Sequence, residues 1–134
     1  MLKKIETTNA PSAIGSYSQG ISASNFLFIS GQIAIDKNTL SLLSTNIKEE
    51  TEQVLKNLQS ILKAGSMDFE NVVKTTIFLT NINDFNIVNE VYSKFFISEP
   101  YPARETVAVS FLPKSAHIEI SLIAYKKRSR SNEI

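Results

Sequence analysis

The chain has 134 residues, 43% of them hydrophobic, which suits one compact domain with a single core and leaves no room for two. It contains no cysteine, so disulfides, thiolate nucleophiles and cysteine-ligated zinc or iron–sulfur sites are excluded together, and a reducing cytoplasmic setting fits best. The formal charge is only +1, and the basic excess lies in the terminal KKRSRSNEI, a pattern that reads as a solubilising tail and argues against nucleic acid as a partner.

The N-terminal MLKKIETTNAPSAIG has lysines but no apolar run after them, and FLFI, IAI and LIAY are far too short to span a bilayer. Neither a secretion signal nor membrane association is expected. LKKIETT and SQGISAS read as short strands, and FLFISGQIAI, rich in aromatic and β-branched residues, as a strong central strand. The stretch DKNTLSLLSTN is a turn-rich loop. Asn46 offers a helix N-cap with Glu49 three residues on. Ile47, Thr51, Val54, Leu55, Leu58, Ile61 and Leu62 then recur at helical spacing until Gly65. VVKTTIFLT alternates as a strand. From Asp84 a second helix carries Phe85, Val88, Tyr92, Phe95 and Phe96 on one face until SEPYP breaks it, and RETVAVS and HIEISLIAY close the chain as strands.

The order βββ–α–β–α–ββ predicts an α+β domain over residues 1–125, a mixed six-stranded sheet with two helices on one face, followed by a flexible basic tail at 126–134. Several strands are apolar in both alternating sets, for example Val73, Ile77 and Leu79 against Val72 and Phe78, so the uncovered face should also avoid water. A symmetric homo-oligomer packing sheet on sheet would bury it.

Two charges stand in otherwise apolar strands: Arg104 and Glu119. Strand alternation turns Arg104, Thr106 and Ala108 one way and Glu105, Val107 and Val109 the other. Likewise His117, Glu119 and Ser121 oppose Ile118, Ile120 and Leu122. If the last two strands form a hairpin through FLPKSA, Arg104 and Glu119 fall in one region, as an ion pair or as a working site. His117 is the only histidine and, with no convergent ligands, reads as a strand residue and not a metal ligand.

The segments APSAIGSYSQG, FISGQIAID, VVKTTIFLTNINDFNIVNEVYSKFF, YPARETVAV and LPKSAHIEISLIA, in this order and spacing, closely resemble the Rid (YjgF-like, reactive intermediate deaminase) family over about residues 5–125. The resemblance implies a chorismate-mutase-like fold, a homotrimer with a barrel-like core, pockets between subunits, and hydrolysis of 2-imino acids to 2-oxo acids and ammonia without metal or cofactor. It assigns Arg104 to the substrate carboxylate, a task suited to a planar, permanently charged guanidinium. It assigns Glu119, with the backbone carbonyl of Thr106, to the attacking water. Tyr17 matches the pocket tyrosine, and Ser30 and Gly31 the pocket floor, where glycine admits close approach. Asn89 matches a family-typical asparagine of the pocket whose simpler role on a helix is a scaffold hydrogen bond. Ser16 departs from the usual proline and Thr106 from the cysteine of some members. Two other readings remain open at this level: a small-carboxylate-binding regulatory trimer without turnover, and an endoribonuclease. The latter is opposed by the lone histidine and by a body of 10 basic against 12 acidic residues before Lys126.

Overall fold

The computed structural model describes residues 1–127; all of the expected basic tail beyond Lys127 lies outside them. Six strands and two helices follow one another as β1 (Leu2–Ile5), β2 (Gly20–Ala23), β3 (Phe26–Gln32), α1 (Ile47–Ala64), β4 (Val72–Leu79), α2 (Phe85–Phe95), β5 (Ala103–Ala108) and β6 (Ile118–Tyr125). They form one mixed sheet in the order β1-β2-β3-β6-β4-β5, antiparallel throughout except for the parallel β4–β5 pair that α2 connects.

Helix α1 begins where expected, because the Asn46 side chain accepts the Glu49 N–H at 2.8 Å, and it ends at Gly65, whose N–H returns to Ile61 and Leu62. Its apolar stripe, Val54, Leu55, Leu58, Ile61 and Leu62, is fully buried against Leu27 and Ile29 of β3 and Ile118, Ile120 and Leu122 of β6. Helix α2 starts one residue later than Asp84, which closes a short 3-10 turn over Ile82–Asp84. Val88, Val91 and Tyr92 face the core, and Tyr92 stacks on Phe96 at 4.2 Å between ring centroids.

The other face of the sheet has no helix. Phe26, Phe28, Val73, Val107 and Tyr125 are exposed there, and Phe26 packs on Tyr125 at 5.1 Å, which gives the two-sided apolar pattern a physical place. The face assignments expected within β4 need one correction. A register shift between Val72 and Lys74 puts Val72 on the core side with Thr75, Ile77 and Leu79, and turns Val73 outward. The condition under which Arg104 and Glu119 would fall in one region, a hairpin of the last two strands, is not met. Strand β6 inserts between β3 and β4, and β5 pairs only with β4, leaving its outer edge unpaired among the described residues. The parallel β4–β5 pairing is the arrangement a helical crossover permits.

His117 lies just before β6, not in it, although its carbonyl still accepts the Thr80 N–H at 3.1 Å. Glu50, only 1% exposed, grips it twice, accepting from the backbone N–H and pairing with Nδ1, each at 2.8 Å. Lys126 is tied down as well, its N–H reaching Asn25 and its ammonium the carbonyl of Ser66 at 2.9 Å. No helix among the described residues is long and apolar enough to cross a membrane. Truncating Glu50→Ala removes the buried acceptor of both His117 contacts, so it should lower unfolding free energy by about 1 kcal/mol in a denaturant titration, with Glu50→Gln losing less.

Candidate functional site

The residues singled out above form two clusters in one chain. The first gathers where the N-terminal loop meets β3 and β6. Gln19, buried beneath this loop, holds its shape: Oε1 accepts the Thr7 N–H at 2.8 Å and Nε2 donates to the Pro11 carbonyl at 2.7 Å. Gly15 turns the chain at φ +108°, a region that favours glycine, and presents Tyr17, which is 55% exposed and lines a cavity of about 310 Å³ with Lys4, Glu6, Ser12 and Gln19. Ser30 ties the loop to β3, its hydroxyl donating to the Ser18 carbonyl at 2.6 Å and its N–H to that of Gln19 at 2.9 Å.

Beside Ser30 the ladder breaks. Ile29 pairs with Leu122 and Gln32 with Ile120, so Ser30 and Gly31 together oppose Ser121, a bulge of the kind that re-aims side chains. The carboxylate of Glu119 occupies the space this leaves: a Cβ on residue 31 would lie 2.5 Å from Glu119 Oε2, so any larger residue there would push the carboxylate out of its place. Glu119 is half-buried on the helix-free face and has no hydrogen-bonding or ion-pair partner among the described residues. Burial alone raises its carboxyl above the usual carboxylate range.

The second cluster lies on the helix side at the β5 edge. Arg104 Nη1 donates to Asn89 Oδ1 of α2 at 2.6 Å, and the guanidinium carbon stands 4.9 Å from the Tyr92 ring and 5.7 Å from that of Phe85. The cavity in front, about 540 Å³, is lined by Asn89, Tyr92, Phe96, Tyr101, Pro102 and Arg104. Thr106 faces the same side and lines a neighbouring hollow with Asn83 and Phe85. Glu105 turns to the opposite face, where Lys74 holds it at 3.1 Å, so it does not compete for Arg104.

Arg104 and Glu119 therefore do not converge within one chain. Arg104 is level with Thr75 of β4 and Glu119 with Phe78, with β4 between them, and they project from opposite faces. Two strand spacings and three residues of rise separate their backbones by about 14 Å. Among the described residues no cluster of three or more His, Asp or Glu side chains is placed to hold a metal ion.

Thr75, Tyr92, Gln19 and Glu50 carry polar contacts in or beside these clusters and received no role from the sequence reading. For Tyr92 a signal existed: Phe85, Asn89 and Tyr92 recur along one stripe of α2, so an asparagine that meets Arg104 brings both rings with it.

A mixed α+β sheet covered on one face, with a lone carboxylate over a glycine bulge and an aromatic-backed arginine at the sheet edge, defines the class. The profile of the family described as Endoribonuclease L-PSP matches residues 7–126, and the chain belongs to that family, the Rid (YjgF-like) proteins. A RutC family protein of Buchnera aphidicola is 49% identical over 130 residues, covering 96% of this chain and all of its own. The human 2-iminobutanoate/2-iminopropanoate deaminase is 49% identical over 120 residues, covering 90% of this chain and 87% of its own. A conserved Rid family protein of Yersinia pestis superposes with a TM-score of 0.92 at 47% identity, over 94% of this chain and 100% of its own. Escherichia coli TdcF, solved with bound serine, superposes at 0.88 with 37% identity, over 92% of this chain and 98% of its own.

The raised carboxyl makes a pH prediction. A folded-state value above the unfolded one means the native state binds the extra proton, so stability is greatest below the unfolded value and declines as pH rises towards the folded one. Glu119→Gln should therefore stabilise the protein at neutral pH and lose that advantage in acid, measured by urea midpoints across pH.

Proposed function

We propose that this protein hydrolyses 2-imino acids, such as 2-iminobutanoate and 2-iminopropanoate, to 2-oxo acids and ammonia. The observation that carries this reading is Glu119: a half-buried carboxylate without a partner among the described residues, whose proton affinity is raised and which lies close against Gly31. A carboxyl tuned upward serves as a base that can return its proton, and partnerless perturbed carboxylates concentrate at working sites.

The steps need only such a carboxylate and an anion anchor. Arg104 binds the substrate carboxylate through the donors that Asn89 leaves available. Glu119 takes a proton from water as its oxygen adds to the imine carbon and returns that proton to the imine nitrogen, giving a neutral carbinolamine. The carboxylate then takes the carbinolamine hydroxyl proton and passes it to the nitrogen as the C–N bond breaks, so the carbonyl forms and ammonia leaves. Tyr17 flanks the substrate, the Thr106 carbonyl steadies the water, and Ser30 and Gly31 form the floor.

Since the two clusters lie on opposite faces of one chain, each site takes Arg104, Asn89 and Thr106 from one subunit and Tyr17, Ser30, Gly31 and Glu119 from another. A homotrimer whose helix-free faces pack together supplies that pairing and buries Phe28, Val73 and Val107. The likeness to the human deaminase and the serine bound to TdcF support a small amino-acid-like carboxylate as ligand. The nuclease named in the family's description finds less support, because the only histidine is held by Glu50.

With iminobutanoate generated in situ by a dehydratase, wild type should release 2-oxobutanoate and ammonia well above the buffer rate. Glu119→Gln should lower kcat by about 10² to 10⁴-fold, and Arg104→Ala should weaken 2-oxobutanoate binding by about 10- to 150-fold. Release no faster than buffer would reject the reading.

A subunit-mixing assay tests the shared site. Arg104→Ala and Glu119→Gln chains, unfolded together and refolded, should recover part of the activity each lacks alone. No recovery in verified mixed oligomers would place each site in one chain.

A further inference from the structure

Thr75 and Tyr92 place hydroxyls in the core at positions where apolar side chains of like shape would also pack. Thr75 is 0% exposed and Tyr92 is 6% exposed, and the hydroxyl of one bonds that of the other at 2.9 Å. Valine would fill the first position and phenylalanine the second, with no buried hydroxyl to satisfy. Replacing both partners of a buried hydrogen bond with apolar groups of like shape is close to neutral for stability. Folding alone does not account for the pair.

Its place in the ladder does. Thr75 of β4 and Arg104 of β5 are direct lateral partners, so their side chains stand next to one another on the helix side. Tyr92 descends from α2 onto both. Its hydroxyl lands on Thr75, its ring lies 4.9 Å from the guanidinium carbon, and Phe96 stacks at 4.2 Å from the ring. The hydroxyl bond fixes the remaining freedom of the ring, its swing about the Cα–Cβ direction. The ring in turn backs a guanidinium that is otherwise exposed and held by Asn89.

We propose that Thr75 and Tyr92 are positioning residues for Arg104, the buried hydroxyl pair setting the ring against which the guanidinium is pre-oriented for its anion. The gain is entropic: a long side chain already in its bound geometry gives up less freedom when the ligand arrives. The affinity consequence rests on the reading of Arg104 as a carboxylate anchor; the ordering of Arg104 does not.

The test uses the full chain as wild type, Thr75→Val, Tyr92→Phe and the double variant, with three readouts: thermal midpoint, 2-oxobutanoate titration, and ¹⁵N relaxation of the Arg104 Nε–H. Thr75→Val, which strands the tyrosine hydroxyl, should lower the midpoint. The double variant should return the midpoint close to wild type. In all three variants the Arg104 Nε–H should become more mobile and 2-oxobutanoate binding should weaken by about two- to tenfold, the loss expected of one neutral hydrogen bond. Turnover at saturating substrate should stay within about twofold, since a preorganisation loss falls on KM. A double variant with a wild-type Arg104 signal overturns the proposal, as does binding that falls and recovers with the midpoint. If wild type binds no 2-oxo acid, the carboxylate reading fails, and Nε–H relaxation still decides whether the hydroxyl pair orders Arg104.

Discussion

Strand β4 stands between the two strands that carry the charged residues, and the rest of the arrangement follows from that placement. With β6 on one side and β5 on the other, alternation sends Thr75 and Arg104 towards the helices and Phe78 and Glu119 away from them. A single chain can therefore bury a core on one face or expose a carboxylate on the other, but it cannot close a small-molecule site around both charges. The apolar residues left on the helix-free face and the separation of the two clusters are two expressions of one topology. In the proposed assembly, a second chain against that face answers both.

The charges are stabilised in different ways. Arg104 stays near water and is held by one hydrogen bond and the rings of Tyr92 and Phe85, contacts that order a permanent cation without desolvating it fully. Glu119 loses part of its hydration on burial and meets no cation among the described residues, which leaves its ionised form disfavoured. Glu50 is the buried carboxylate that is satisfied, through the backbone and ring of His117. One carboxylate thus fastens α1 to the start of β6, and two residues further along another is left available for chemistry.

Much of the fold was readable because its signals are local. Asn46 and Gly65 bracket α1, the stripe from Val54 to Leu62 marks its buried side, and the alternation in HIEISLIAY gives β6. Strand order was not readable, since pairing β6 beside β4 is a long-range choice that the same alternation permits in several ways. The bulges at Val73 and at Ser30–Gly31 were hidden for a related reason: each adds one residue to a strand and reverses faces beyond it without changing composition. Arg104 and Glu119 stood out as charges among apolar neighbours. Thr75 passed as an ordinary β-former and Tyr92 as a core aromatic, and their hydroxyls gain meaning only once α2 is laid over β4.

The rim of β5, unpaired among the described residues, has a bearing on the isolated chain. A solitary copy offers a row of free amide and carbonyl groups next to oily side chains, the template on which stray strands polymerise. Lys74 and Glu105, charged neighbours at that margin, act as gatekeepers against such stacking. Under the proposed assembly, closure with partner copies would compete with such stacking, and the concentration of free copies would set the balance.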